Sequence, residues 1–172
     1  MLYIVGTGHH YQFGTGARFG QDCCTEPDER AFAQMLRDLI ATVGGEVLAE
    51  ELNQQALEEV GKTISVMQRI ATEASAPHIF CEPDRAERVK LGIKDENEIR
   101  ISAFPRSLDE ALVQSLAADS WRRREQEWLL RLDAVKSKNV ILVCGANHIA
   151  TFVPLAQEQG FDCKVMHVNW EA

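Results

Sequence analysis

The chain has 172 residues, of which 45% are hydrophobic, so it is large enough to bury a core and we expect a single domain over 1–172. Its net charge of -8 and its pI of about 5.1 argue against general nucleic-acid binding, because such proteins carry a clustered Lys/Arg face. No apolar run approaches the length of a membrane span, and no export signal is recognisable. Since the cysteines also lack Cys-x-x-Cys spacing, we expect no membrane association and a cytoplasmic location.

The first half of the chain alternates strands with helices. Leu2 to Val5 is a short β-rich run, and the glycine-rich segment 6–27 after it is too long for a simple connector, which favours a functional loop. Apolar residues at helical spacing predict a helix that is capped by Thr25 or Asp28 and ends at Gly44. The same patterns predict a strand at 47–49, a helix from 53 to about 70 and a strand at 77–81.

The second half begins with a charged segment and then returns to the alternation. Residues 84–104 predict a local helix and an irregular stretch, and Pro105 is placed near the start of a helix. One long or two broken helices are predicted over 108–134. They are followed by a strand at 139–144, a helix up to Gly160 and a strand at 164–168. The whole pattern predicts an α/β fold with a mostly parallel central sheet of about five strands, right-handed crossovers and helices on both faces.

Two histidines stand in the same local sequence at opposite ends of the chain. The segments Gly6-Thr7-Gly8-His9 and Gly145-Ala146-Asn147-His148 both match Gly-x-x-His, and each follows a predicted strand. Roughly 0.3 such matches are expected by chance from 5 His and 11 Gly in 172 residues. A buried parallel strand delivers the residues after its carboxyl end to the ligand crevice, so the two histidines can meet at one site.

Polar residues follow four of the predicted strands, and in this topology they project into one crevice. Two imidazoles and a carboxylate are suitable ligands for a divalent metal that activates water. The candidate ligands for Mn, Zn, Co or Fe are His9, Glu50 and His148. Without a metal, a His/Glu pair can act as general base and acid. The residues assigned to substrate binding are Gly6, Gly8, His10, Glu51, Glu82, Asp84 and Asn147.

Several of these residues also have a purely structural interpretation. His9 would then cap the turn after its strand, His148 would start a helix, and His10 would be exposed without a role. Only one of Glu50 and Glu51 is expected to face the crevice, because adjacent residues of an extended segment point to opposite sides. We favour Glu50 and assign the other glutamate to the start of the next helix. Packing in strands is favoured for the remaining histidines, His78 and His167.

Other common catalytic motifs are missing from the sequence. Gly6 and Gly8 begin a Gly-x-Gly-x-x-Gly pattern, but Tyr11 stands where the third glycine belongs, which disfavours dinucleotide binding. The sequence contains neither a Walker phosphate-binding loop nor a Gly-x-Ser-x-Gly nucleophile turn.

Four short segments carry a family resemblance. The segment VILVCGANHIATFVPLAQEQGFDCKV starts at Val140 and contains one Gly-x-x-His, and IVGTGHH contains the other. Between them, VLAEEL supplies a strand-end glutamate, and RREQEW supplies a helical arginine followed by an apolar residue, here Arg124 and Trp128. In this order, along nearly the whole chain, they resemble the motifs of the TraB/Tiki and ChaN/erythromycin-esterase-like superfamily.

That resemblance implies the position of an active site, but it does not imply one particular reaction. Members of the group include proteins assigned metal-dependent peptidase, esterase and haem-binding activities. Carried over residue by residue, the resemblance points to His9, Glu50 or Glu51, Arg124 and His148. The chain is near the family's minimal length and lacks the extra helical insert that usually builds a substrate pocket, so no substrate is carried over.

We expect a small cytoplasmic hydrolase-like enzyme that acts on a small molecule or a peptide. His9, His148 and Glu50 would hold the metal or act directly as base and acid, and Arg124 would bind an anionic substrate group or stabilise negative charge. The loop from His10 to Pro27 would cover the site. One alternative is a non-catalytic protein that binds a small anion, a nucleotide or haem. The second alternative is an interaction protein whose exposed loop aromatics, Tyr11, Phe13 and Phe19, contact a partner. The sequence does not determine the oligomeric state.

Overall fold

The computed structural model describes residues 1–19, 22–103 and 108–172, and it confirms the predicted α/β class. Seven strands are assigned within these residues, in chain order β1 (Leu2–Thr7), β2 (Arg18–Phe19), β3 (Asp22–Cys23), β4 (Val47–Glu50), β5 (His78–Phe80), β6 (Val140–Gly145) and β7 (Cys163–Trp170). Five of them form one parallel sheet in the order β5-β4-β6-β1-β7, whereas β2 and β3 form a small antiparallel pair.

The helices fill the connections between the parallel strands, as the alternation predicts. They are α1 (His9–Phe13), α2 (Glu26–Val43), α3 (Gln54–Glu59), α4 (Val66–Glu73), α5 (Arg85–Leu91), α6 (Glu96–Ser102), α7 (Glu110–Asp133) and α8 (Ile149–Glu158). Thr25 and Asp28 form a capping box at the start of α2, and Gly44 ends that helix in the left-handed conformation. Within the described residues, none of these helices is long and apolar enough to span a membrane.

The central sheet is covered on both faces. Leu2 and Ile4 of β1 pack on one side with Trp128 of α7 and Phe152 of α8. Val5 points to the other side, where the cluster includes residues of α2 and α4. This alternation of successive side chains follows from the pleat of a strand. The strands are apolar on both faces because helices cover both.

Several predicted elements differ in detail from the observed ones. The helix predicted from Asn53 is two helices, α3 and α4, because the chain turns at Gly61, where φ is +72°, and restarts at a capping box on Ser65. Segment 108–134 contains one helix rather than two broken ones. The segment 84–104 holds α5 and α6. The prediction for Pro105 falls outside the described residues.

The long loop after β1 is more ordered than predicted. It contains α1 and the β2–β3 pair. Tyr11 and Phe13 are buried rather than exposed, because Tyr11 packs against Phe32 and Trp170 while Phe13 packs with Leu52 and others. These two aromatic rings are therefore part of the core and do not form a surface for a partner. The side chain of Phe19 and residue Gly20 lie outside the described part of the chain.

The topology brings the carboxyl ends of three strands side by side. β6 lies between β4 and β1, with Glu50 paired to Val143 and Thr7 paired to Gly145. The segments that follow these strands carry Glu51, His9 and His148. They therefore emerge next to one another at a single edge of the sheet, where parallel α/β folds bind their ligands.

Candidate functional site

Glu51 is the centre of the cluster at this edge. The side chain is buried, and Oε2 accepts a hydrogen bond of 2.7 Å from the backbone N–H of Gly145. Oε1 accepts one of 2.7 Å from Nη2 of Arg124. A carboxylate is kept ionised in such surroundings because charged donors compensate the loss of water.

Both histidines of the repeated motif face Glu51. Nε2 of His148 lies 3.3 Å from Glu51 Oε1, and Nε2 of His9 lies 3.8 Å from the same oxygen. A Cβ atom at Gly145 would lie 2.8 Å from Nε2 of His9, so the glycine of the second motif makes room for the histidine of the first. The two Gly-x-x-His segments thus build one site.

The carboxylate predicted to face the histidines is the wrong one of the two neighbours. Glu50 is the last residue of β4 and points to the opposite side from Glu51. Its Oε1 accepts a hydrogen bond from Ser65 and lies 2.8 Å from Nε2 of His78. The contact expected of Glu50 is made by Glu51, and the predicted set of His9, Glu50 and His148 does not come together.

Arg124 is held by two carboxylates on the wall of the cleft. Besides its bond to Glu51, its Nε and Nη2 donate to Oε2 of Glu82 at 3.2 Å and 3.0 Å. Trp128 donates to the same Oε2 through Nε1, at 3.0 Å. Glu82 and Arg124 were both predicted to belong to the site, and the structure brings them together.

Glu125 is a member of the site that the sequence analysis missed. It is 1% exposed, and its Oε1 lies 2.7 Å from Nδ1 of His148 while it also accepts a hydrogen bond from Thr151. The available signal was its position in α7, since the helical spacing 121, 125, 128, 132 puts this carboxylate on the same face as Trp121, Trp128 and Leu132. A charged residue on an apolar helical face requires a buried partner.

Burial and charge shift the pKa values of the central pair in opposite directions. Burial alone would raise the pKa of Glu51, but the hydrogen bond from His148 and the charges of His9, His148 and Arg124 lower it to about 2. Burial alone would lower the pKa of His148, but its hydrogen bonds with Glu125 and Glu51 raise it to about 9. At neutral pH the site therefore holds an imidazolium between two carboxylates.

These groups open into a cleft of about 520 Å³, which is within the usual size range of small-ligand sites. Its lining includes Gly8, His9, Phe13, Arg88 and Trp121. The other predicted residues that line it are Glu51, Glu82, Arg124, Asn147 and His148.

Three residues predicted to bind substrate have other positions. Gly6 lies inside β1, where a Cβ atom would be 2.1 Å from the carbonyl oxygen of Val168, so this glycine allows β7 to approach. The ring of His10 lies against that of Tyr11, with 4.0 Å between centroids and an interplanar angle of 39°. Asp84 caps α5 in a capping box with Glu87. None of the three is among the described residues that line the cleft.

The arrangement of the donors does not fit the divalent metal suggested by the sequence. Within the described ranges, no group of three His, Cys, Asp or Glu side chains is arranged to hold a metal ion. The oxygen that both imidazoles face, Glu51 Oε1, already accepts a hydrogen bond from Arg124, whose positive charge compensates the negative charge of Glu51. A metal at His148 would have to displace the ring proton that the contacts with Glu51 and Glu125 favour.

No protein-family model, curated protein or solved structure matches this chain. The resemblance to the TraB/Tiki and ChaN/erythromycin-esterase-like superfamily therefore stays a prediction from the sequence.

Proposed function

We propose that this protein is a hydrolase that cleaves a small molecule or a peptide in the Glu51 cleft by acid–base chemistry of its own side chains. The observation that carries the proposal is the convergence of His9 Nε2 and His148 Nε2 on Glu51 Oε1, at 3.8 Å and 3.3 Å, in a cleft open to solvent. Two imidazoles with different environments are able to divide proton transfer and charge stabilisation between them.

His9 is the general base in this proposal. Its side chain is 26% exposed, so water and substrate can reach it, and Glu51 is close enough to stabilise the imidazolium that forms. Nε2 of the Gln12 amide lies 3.3 Å from His9 Nδ1, while Gln12 Oε1 is buried without a hydrogen-bond partner among the described residues. Exchanging the two amide atoms lets Oε1 accept the proton of Nδ1, which leaves the lone pair on His9 Nε2. Nε2 then removes a proton from water as the water oxygen bonds to the substrate carbonyl carbon.

His148 stabilises the negative charge that develops in this step. As an imidazolium between Glu51 and Glu125, it places positive charge where the carbonyl electron pair moves onto oxygen. The tetrahedral intermediate then collapses, the bond to the leaving group breaks, and the proton held by His9 passes to the leaving group. Arg124 fixes Glu51 in this process and does not itself exchange a proton.

The experiment is a hydrolysis screen with matched histidine variants. Turnover of activated esters, lactones and dipeptides is measured for the wild type, His9→Ala and His167→Ala, with His167 as an exposed control in β7. We expect His9→Ala to lose at least about 100-fold in kcat, the usual contribution of a general base, and His167→Ala to keep it. Equal rates in His9→Ala and wild type would overturn the proposal.

Two further measurements separate the alternatives. Metal analysis of protein purified without chelator, followed by turnover in EDTA, tests the metal-dependent reading, and activity lost with EDTA and restored by one ion would replace our mechanism. A chain that turns over none of these substrates but is stabilised by an anion, a nucleotide or haem would support the non-catalytic alternative.

A further inference from the structure

The cleft contains two arginines with different surroundings. Arg124 donates to two carboxylates, Glu51 and Glu82, within hydrogen-bond distance. Arg88 also lines the cleft, and within residues 1–19, 22–103 and 108–172 the one carboxylate within 4 Å of it is that of Glu82, whose Oε1 lies 3.6 Å from Arg88 Nε. That separation is longer than a hydrogen bond. The two cations are therefore compensated to different extents.

Arg88 has a hydrogen-bond donor that lacks an acceptor in the part of the chain that the structure describes. Its Nε is buried and has no hydrogen-bond partner among the described residues. A buried donor without a partner costs free energy unless a ligand or an ordered water supplies an acceptor. The side chain is 30% exposed, so a molecule in the cleft can reach the guanidinium.

The carboxylate nearest to Arg88 also binds other donors, through its second oxygen. Oε2 of Glu82 accepts from Arg124 and from Trp128. The cleft is lined by three cationic groups, Arg88, Arg124 and His148, against the carboxylates of Glu51 and Glu82, while Glu125 lies behind His148 outside the lining. With Glu125 included, three cations face three carboxylates, so the cleft is locally neutral in a protein with a net charge of -8.

We propose that Arg88 binds an oxyanion, a carboxylate or a phosphate, on the molecule that occupies the cleft. A guanidinium offers a planar fork of N–H donors that matches such groups. The anion-binding role rests on the contacts of Arg88 alone. The statement that the enzyme prefers anionic substrates rests in addition on the proposed hydrolase function. Arg88, rather than the predicted Arg124, is then the residue that recognises the substrate.

The binding test uses anions that cannot be hydrolysed. Succinate and inorganic phosphate are titrated into the wild type, Arg88→Gln and Arg85→Gln, and backbone amide NMR shifts follow binding. Arg85 is the matched control because it is on the same helix, is exposed and does not line the cleft. We expect the wild type and Arg85→Gln to bind alike and Arg88→Gln to bind at least about tenfold more weakly, as for a lost charge-assisted hydrogen bond.

Several outcomes would overturn the proposal. They are equal binding by Arg88→Gln and the wild type, equal weakening by both glutamine variants, and no saturable binding of either anion by the wild type. Arg88→Lys keeps the charge without the fork and is expected to bind with intermediate strength. Melting temperatures identify any misfolded variant. If Arg88→Gln is misfolded, the affinity of Arg88→Lys tests the proposal instead. An affinity of Arg88→Lys equal to that of the wild type would then overturn it. Comparing succinate with phosphate separates a carboxylate from a phosphate site.

A second arm links the anion site to turnover. The rates for 4-nitrophenyl succinate and the neutral 4-nitrophenyl butyrate are compared, and Arg88→Gln is expected to lower the preference for the anionic ester at least about tenfold through KM. His9→Ala is expected to bind succinate as the wild type does while failing to hydrolyse 4-nitrophenyl succinate. In Arg88→Gln, an unchanged preference for the anionic ester together with weakened succinate binding would contradict only the link between the anion site and catalysis. Absence of all turnover in the wild type would contradict only the hydrolase.

Discussion

Two adjacent glutamates of this protein each meet a histidine, but only one pair forms part of a cleft. Glu50 and His78 lie 2.8 Å apart on the side of the sheet where Ser65 caps α4, whereas Glu51 and His148 lie 3.3 Å apart where the strand ends open to solvent. A buried His/Glu contact is thus no mark of a site by itself. The Glu51 pair differs in three ways: it lines a cleft that solvent reaches, a second imidazole lies close to it, and Arg124 compensates the charge of Glu51.

The largest expected effect follows from neutralising Glu51. In Glu51→Gln, Arg124 and the protonated His148 lose a buried counter-charge, so we expect loss of turnover and a decrease of about 3–5 kcal/mol in the free energy of unfolding. Glu50→Gln, the matched change one residue away, keeps hydrogen-bonding atoms toward Ser65 and His78 and is expected to cost about 1–3 kcal/mol with turnover retained. Urea unfolding and steady-state kinetics measure both. If Glu50→Gln is the inactive variant, the comparison is reversed.

The raised pKa of His148 predicts how stability depends on pH. The folded pKa of about 9 lies above the ordinary value of 6.5, so this contribution is complete below pH 6.5 and is lost as the pH rises through 9. Its size is about 3 kcal/mol, since one pKa unit corresponds to about 1.4 kcal/mol. Urea unfolding at pH 6, 7.5 and 9.5 should show the decrease.

Glu125 is the residue that should control this pH dependence. In Glu125→Gln the carboxylate at Nδ1 of His148 is lost, so the pKa of His148 should fall and the alkaline decrease in stability should become smaller. Glu127→Gln on the same helix is the control and should leave the pH dependence unchanged. Identical pH profiles for the two variants would show that Glu125 has no influence on His148.

The smallest effect on stability is expected at His9. Its side chain is 26% exposed, and His9→Ala should change the free energy of unfolding by less than about 1 kcal/mol while removing turnover. His78→Ala should show the opposite, because it leaves Glu50 buried with one partner fewer and costs about 1–3 kcal/mol without affecting turnover. Thermal melts and rates on the same preparations test the pair. A large loss of stability in His9→Ala would assign that histidine a structural role.

The fold was largely predictable because its signals are local. Apolar runs followed by polar turns marked the parallel strands, and capping residues such as Thr25 marked helix starts. The break between α3 and α4 was harder to place, since the sequence carried only Gly61 as a warning. The burial of Tyr11 and Phe13 was missed because their contacts come from α2, β7 and the segment after β4, which are distant in sequence.

The candidate site was predictable in its residue types but not in all of its contacts. The repeated Gly-x-x-His pointed to His9 and His148, whose rings the structure brings to one carboxylate oxygen. The choice between Glu50 and Glu51 could not be made from their identical side chains, because it depends on which side of the sheet each one meets. Glu125 required knowledge of the partner that its helix face would bury.

The sequence by itself determined the alternation of strands and helices, the two histidines at strand ends and the acidic charge of the chain. These properties depend on neighbouring residues, whose spacing is fixed by the geometry of a strand or a helix. Only the tertiary structure decided that Glu51 faces the histidines and that Glu125 supports His148. It also decided that Arg88 lines the cleft while its Nε has no hydrogen-bond partner in the described part of the chain. Such contacts join distant segments, and their energies depend on burial, which no local pattern contains.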